Sequence, residues 1–183
     1  NTFIRAKAFK AGWISSDIVE TNFYKSTYQP DTVIYLQPAD SSYKDEQGKL
    51  LINRIKGEPN FKLGNWVAFR KNRMECLLQF AAPVPVQSIT LSCLIDIGSY
   101  IMPAQKIEIW GGDDRKQLKL LGQLIPEQPA MLKPSYMRGF ECKFNTAEVK
   151  YIKIIAVPVG KLPQWHPGKG DKAWIFTDEA LVN

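Results

Sequence analysis

The segment QWHPGKGDKAW, residues 164–174, contains the residue types best suited to chemistry in this chain: its only histidine, His166, and two of its five tryptophans. A lone imidazole can act as a general base or as one metal ligand, but either role needs partners. The chain has no Cys-x-x-Cys or His-x-x-x-His spacing to complete a zinc site, and no serine or cysteine nucleophile motif. The segment therefore favours a loop that presents aromatic rings over a metal or catalytic centre.

Paired carboxylates, which glycoside hydrolysis requires, are also poorly placed in the sequence. Asp113 and Asp114 lie in GGDD between KIEIW and QLKLL, which is typical of a hairpin turn. Asp178 and Glu179 are adjacent in a predicted strand, so their side chains are expected on opposite faces of the sheet. The sequence thus predicts that this chain is not an enzyme.

Sugar binding requires fewer groups than catalysis does. An aromatic ring contacts the C–H face of a pyranose, and a few fixed polar groups bind its hydroxyls. Within 163–171, Trp165 is predicted to stack on a sugar, His166 to donate or accept a hydrogen bond, and Lys169 to donate one. An alternative remains open, in which Trp165 folds back onto the end of the domain and His166 satisfies a backbone carbonyl. Tyr100 and Trp66 are further candidates for ligand contact, although NWVAF also fits the start of a strand.

The elements that must position these residues are strands, because hydrophobicity alternates with a period of two. The sequence predicts an all-β fold, an antiparallel β-sandwich of jelly-roll type over 31–183, preceded by a β-hairpin over 1–26 and a linker over 27–30. The hairpin has no further strands of its own sheet in this chain, so it is predicted to end a preceding β-domain. The long irregular stretch 37–65 is expected at an end of the sandwich, where ligands are usually held. Strands are predicted in MECLLQF (74–80), SITLSCLI (88–95), KIEIW (106–110), MRGFECKF (137–144), VKYIKIIAV (149–157) and AWIFTDEALV (173–182).

Composition restricts the classes of partner that this chain is expected to bind. The 183 residues carry a net charge of +6, but the cations are scattered and the densest group is Arg70, Lys71 and Arg73. This pattern is typical of a solvated surface rather than of a nucleic-acid interface. No apolar run approaches the roughly 20 residues that a membrane-spanning helix needs. The three cysteines fall in phase with apolar neighbours, which predicts buried thiols, although one bridged pair stays open.

Three stretches carry a resemblance to a known arrangement. IRAKAFKAGWISSDIVETNFYK (4–25) resembles the closing hairpin of the immunoglobulin-like domain near the C-terminus of bacterial chitobiases and β-N-acetylhexosaminidases. GSYIMPAQKIEIWGGDD (98–114) and PQWHPGKGDKAWIFTDEALV (163–182) resemble the discoidin domain that comes after it, also called the coagulation-factor type C domain, a galactose-binding-like jelly roll. The resemblance covers nearly the whole chain.

This resemblance implies a non-catalytic, carbohydrate-binding accessory domain of an exported bacterial glycoside hydrolase, with a glycan and an upstream catalytic domain as its partners. The alternative is a structural spacer that positions the catalytic domain and binds no sugar. No cofactor is expected. Some relatives have a calcium site with an Asp-Gly pair, but here Asn53-Arg54 and Leu63-Gly64 stand at the expected positions, although backbone carbonyls with Glu179 would still suit a hard cation.

Overall fold

A computed structural model describes residues 2–183, and the expectation of an all-β fold is confirmed. Residue 1, the first of the predicted hairpin, lies outside the described residues. Within residues 2–183, three short 3₁₀ helices, Ser41–Tyr43, Leu50–Ile52 and Ile97–Ser99, accompany nine strands. The strands are β1 (Thr2–Ala6), β2 (Val19–Phe23), β3 (Thr32–Tyr35), β4 (Val67–Phe69), β5 (Met74–Ile95), β6 (Lys106–Gly112), β7 (Lys119–Leu124), β8 (Tyr136–Val157) and β9 (Ile175–Val182).

The N-terminal hairpin is a separate two-stranded antiparallel sheet, in which β1 pairs with β2. Its connecting segment exposes several large apolar side chains, among them Trp13 and Ile14. Tyr24, just after β2, lies against the sandwich, where its hydroxyl accepts a 2.8 Å hydrogen bond from the Gly139 N–H. That this hairpin ends a preceding immunoglobulin-like domain stays a prediction.

The sandwich has two layers that share their two longest strands. The first layer contains β3, the first half of β5, the second half of β8, β6 and β7, and the second contains β4, β9 and the remaining halves of β5 and β8. The pairing of β5 with β8 is irregular between Gln79 and Val84 and between Val86 and Ser88, where the strands pass from one layer to the other. These irregularities allow the sheet to fold over its own core.

The predicted strands are present, but two pairs of them are joined. The sequence predicts separate strands at 137–144 and 149–157, and β8 runs through both. It also predicts separate strands at 74–80 and 88–95 with PVP between them, but β5 runs through both, and Pro83 and Pro85 lie at its bend. Prolines are tolerated there because bulged or bent positions leave N–H groups outside the ladder. Strand β3 is not among the predicted strands, since its four residues are too few to show an alternation. The turn predicted at Asp113 and Asp114 is confirmed between β6 and β7.

Two apolar clusters organise the interior. The larger fills the space between the layers and includes all three cysteines, which are buried and free as predicted. The smaller lies on the outer face of the second layer and is formed by Trp66, Ala68, Leu94, Ile101 and Phe176. Tyr43 and Phe61, from the stretch 37–65, pack onto this smaller cluster. Much of the long stretch therefore covers a sheet face, rather than standing free at the end of the sandwich.

None of the helices in residues 2–183 has the length and apolar character to cross a membrane.

Candidate loop-end site

The loop 163–171 connects β8 to β9 at the end of the sandwich where β5 also finishes. Its backbone forms consecutive tight turns, with the His166 N–H donating to Pro163 O, the Lys169 N–H to His166 O and the Gly170 N–H to Leu162 O, each at 3.0 Å. Gly170 has a φ of 87°, a conformation that side chains other than glycine rarely adopt. The glycine and proline spacing of the sequence thus produces a compact, internally bonded loop.

His166 is an internal anchor of this loop. The residue is only 2% exposed, its Nε2 lies 2.7 Å from Ile97 O, and its Nδ1 accepts a 2.9 Å hydrogen bond from the Gly168 N–H. Because a carbonyl can only accept, Nε2 must carry the proton and donate. The ring therefore ties the loop to the end of β5, and neither nitrogen remains free for a ligand in this conformation. Of the two roles left open by the sequence, this placement matches the structural one.

Tyr100 covers the inner side of the same loop. Its backbone has a φ of 67°, in the left-handed region, and its ring lies so close to Gly168 that an added Cβ would come within 2.0 Å of Cε1. The Tyr100 ring also meets the His166 ring edge-on, with centroids 5.1 Å apart. Gly168 is thus required for a close approach of ring and backbone, which the sequence pattern alone does not reveal.

Trp165 and Lys169 are the loop residues that remain accessible. Trp165 is 39% exposed, and its ring centroid lies 5.6 Å from that of His166, with the two ring planes tilted by 57°. Lys169 is exposed at the turn. Trp66, by contrast, is 4% exposed within the smaller apolar cluster, 6.3 Å from Phe176. The structure thus brings Trp165, Tyr100, His166 and Lys169 together and places Trp66 apart from them, and their contact with a ligand stays a prediction.

Arg70, which sequence reasoning does not single out, extends this group of side chains. Its guanidinium carbon lies 5.3 Å from the ring centroid of Trp174 and 6.0 Å from that of Tyr100, and its Nε donates to Lys172 O at 3.0 Å. In the sequence Arg70 belongs only to a scattered basic group, because residues 70 and 172 are brought together by the pairing of β4 with β9. The charged residues in RKNR give no sign of this contact.

A second group of charged residues lies on the outer face of the second layer, where one sequence expectation is wrong. Asp178 and Glu179 face the same side, because β9 bulges there and residue 178 has no partner on β5. Asp178 Oδ2 accepts from the Gly57 N–H at 2.7 Å and pairs with the Lys56 ammonium at 2.8 Å. Glu179 Oε1 accepts from the Ile55 N–H at 3.0 Å. Both carboxylates thus fasten the segment 55–57 to the sheet.

Burial and the neighbouring Asp178 raise the pKa of Glu179 to about 7. Asp178 is fully buried, and its Oδ1 has no hydrogen-bond partner within residues 2–183. No group of three or more histidine, cysteine, aspartate or glutamate side chains converges in this described part of the chain. The calcium site suggested for Glu179 stays a prediction.

A cavity of about 900 Å³ lies beside these carboxylates and away from the loop end. It is a groove between the hairpin and the outer face of the second layer, and its walls include Phe23, Tyr24, Tyr136, Lys56 and Glu179. Trp165 and Tyr100 of the loop end are absent from its lining.

The fold is similar to the discoidin-like β-sandwich of family 32 carbohydrate-binding modules. A family 32 module from a family 31 glycoside hydrolase of Clostridium perfringens superimposes with a TM-score of 0.54 at 12% identity, covering 84% of this chain and 90% of that one. The family 32 module of AlyQ, in complex with 4,5-unsaturated mannuronic acid, gives 0.51 at 12% identity, with 85% and 96% coverage.

The sequence resemblance to chitobiase C-terminal regions has a structural counterpart. The C-terminal domain of a chitobiase from Bacteroides fragilis superimposes with a TM-score of 0.51 at 15% identity, covering 85% of this chain and 95% of that one. No protein-family model and no curated protein sequence matches the chain. At these identities the likeness establishes the fold, and the jelly-roll expectation is confirmed.

Proposed function

We propose that this chain is a non-catalytic, carbohydrate-binding accessory domain of an exported bacterial glycan-processing protein, and that the loop end holds the glycan. The observation that carries the proposal is the partly exposed ring of Trp165, which lies beside the buried, hydrogen-bonded ring of His166 on an internally bonded loop. A rigidly presented indole loses little conformational entropy when it stacks on a sugar. The fold shared with carbohydrate-binding modules supports the same role.

The mechanism is stacking of a sugar ring on Trp165 with hydrogen bonds from nearby polar groups such as Lys169. A shallow site of this kind gives weak affinity per domain. Its value lies in raising the effective concentration of an attached catalytic domain near its polymer. Parentage in a chitobiase or β-hexosaminidase, and export, are parts of the same proposal that rest on the resemblance.

The test is a retention assay of the chain on immobilised glycans: chitin fragments, galactosides, N-glycans and uronans, with and without calcium. Trp165→Ala is expected to reduce retention on the recognised glycan about tenfold, because an aromatic stacking contact contributes about 0.5–1.5 kcal/mol beyond its buried area and about 1.4 kcal/mol corresponds to tenfold. Trp13→Ala is the matched control, since Trp13 is a more exposed tryptophan in the N-terminal hairpin. Equal retention of both variants, with intact circular dichroism spectra, would refute the site.

A structural spacer is the second candidate, and the hairpin favours it. Phe9, Trp13 and Ile14 are 78%, 70% and 99% exposed, which is unusual for large apolar side chains. If the chain is only a spacer, these residues are covered in a longer protein and no glycan is retained. A glycan screen that is negative for a folded chain would therefore favour the spacer.

A further inference from the structure

The loop end carries a net positive charge. The segments 69–73 and 161–173 contain six lysine or arginine residues and one carboxylate, Asp171. Of the six, only Arg73 forms an ion pair within the described residues, with Glu75 at 2.7 Å. The other five have no ion-pair partner in this described part of the chain, so the two segments keep a net positive charge.

Two of these cations are held in place by backbone carbonyls instead of carboxylates. Arg70 Nε donates to Lys172 O, and Lys172 Nζ donates to Lys71 O at 2.7 Å. These reciprocal bonds join the loop after β4 to the loop before β9. Because a carbonyl is neutral, the bonds fix the positions of the cations without cancelling their charge. We call Arg70, Lys71 and Lys172 the basic rim.

Arg70 is the member best prepared to bind an anion. Its guanidinium is held beside the rings of Trp174 and Tyr100, and in residues 2–183 only its Nε has a hydrogen-bond acceptor. Both Nη groups therefore keep their donors. A guanidinium with two free parallel donors matches the geometry of a carboxylate, which it binds with two hydrogen bonds. Little side-chain entropy is left to lose, since packing has already positioned the group.

The basic rim lies near the proposed stacking surface, to which it is linked through the buried ring of His166. Trp165 contacts His166, His166 contacts Tyr100, and Tyr100 lies beside Arg70. One oligosaccharide lying across this surface would place one sugar ring on Trp165 and a later sugar near Arg70. We propose that the ligand of this surface is an acidic polysaccharide built from uronic acids, whose carboxylates bind Arg70 and Lys172. This inference rests on the proposed carbohydrate-binding function and names its substrate class.

The test compares ligands and variants of the same chain. Polygalacturonate and alginate oligosaccharides are titrated beside neutral chitooligosaccharides and dextran sulfate by affinity electrophoresis and calorimetry. Arg70→Gln is expected to weaken uronan binding about tenfold or more, since it removes charge-assisted hydrogen bonds. Lys172→Gln, which disturbs no aromatic packing, is expected to weaken it severalfold. Arg115→Gln is the matched control, because Arg115 is exposed in the β6–β7 turn and its loss changes net charge equally.

Each outcome separates the inference from the function on which it rests. Uronan binding that weakens with Arg70→Gln and with Trp165→Ala, but not with Arg115→Gln, supports both. If the chain binds neutral glycans, and this binding weakens with Trp165→Ala but not with Arg70→Gln, the acidic-ligand inference is refuted and the carbohydrate-binding function is supported. If dextran sulfate binds as tightly as the uronans, and Trp165→Ala does not weaken its binding, the attraction is that of any polyanion and the inference is refuted. If the folded protein retains no glycan, both the inference and the proposed carbohydrate-binding function are refuted.

Discussion

Replacing Glu179 by glutamine is expected to change how the stability of the domain depends on pH. The carboxyl is 1% exposed, lies beside Asp178, and has its pKa raised from the ordinary value of 4.5 to about 7. Between these two pH values the folded state holds a proton that the unfolded state has released. Raising the pH through this window therefore lowers the free energy of unfolding. At about 1.36 kcal/mol per pKa unit, the full effect above pH 7 is at most roughly 3 kcal/mol.

Glutamine keeps an oxygen that can accept the Ile55 N–H and carries no charge. Glu179→Gln is therefore expected to be as stable as the parent near pH 5 and more stable at pH 8, by up to about 3 kcal/mol. The measurement is urea unfolding at pH 5, 6, 7 and 8, monitored by tryptophan fluorescence. Glu46→Gln is the control, since the Glu46 side chain is 74% exposed. The reasoning is wrong if the difference between Glu179→Gln and the parent does not grow with pH, or if the variant is less stable at pH 8.

Three further predictions concern packing. Gly168→Ala is expected to destabilise the domain by about 1–3 kcal/mol in thermal unfolding and to alter the near-ultraviolet signal of Tyr100, whereas Gly160→Ala, which meets only open space, should leave both unchanged. Gly139→Ala places a Cβ 2.5 Å from the Tyr24 ring, so we expect faster protease cleavage between the hairpin and the sandwich, and a cleavage rate equal to the parent's would contradict this contact. The three cysteine thiols are buried, so none should react with a thiol reagent until the protein unfolds, and a thiol that reacts in the native protein as fast as a free peptide would show that the layers open.

The strands of the sandwich were predictable because apolar residues recur at every second position on the face toward the core, as in β6, even where both faces are buried, as in β9. The alternation in residues 88–95 and 149–157 reports directly on the space between the layers. Alternation cannot tell one long bent strand from two short ones, since both bury the same residues. Strand β3 escaped prediction because four residues, with Val33 buried and Ile34 partly exposed, are too short a pattern.

For the loop end, the residue types were predictable from the sequence, but the contacts between these residues were not. The spacing of proline and glycine around His166 indicated a shaped loop, but the partner of its ring, Ile97 O, lies 69 residues away. Arg70 meets Lys172 for the same reason, through strand pairing that no local pattern encodes. The bulge at Asp178 reversed the expected direction of its side chain, because one extra residue in a strand shifts its neighbours to the other face of the sheet.

Strands β5 and β8 belong to both layers, and this has a consequence for how the domain melts. Neither layer can lose its order while the other keeps it, because each would have to break a strand of 22 residues in the middle. The sandwich should therefore unfold in a single cooperative transition. Ligand held at one end of such a unit stabilises all of it, so the melting temperature of the whole domain becomes a sensitive reporter for screening glycans.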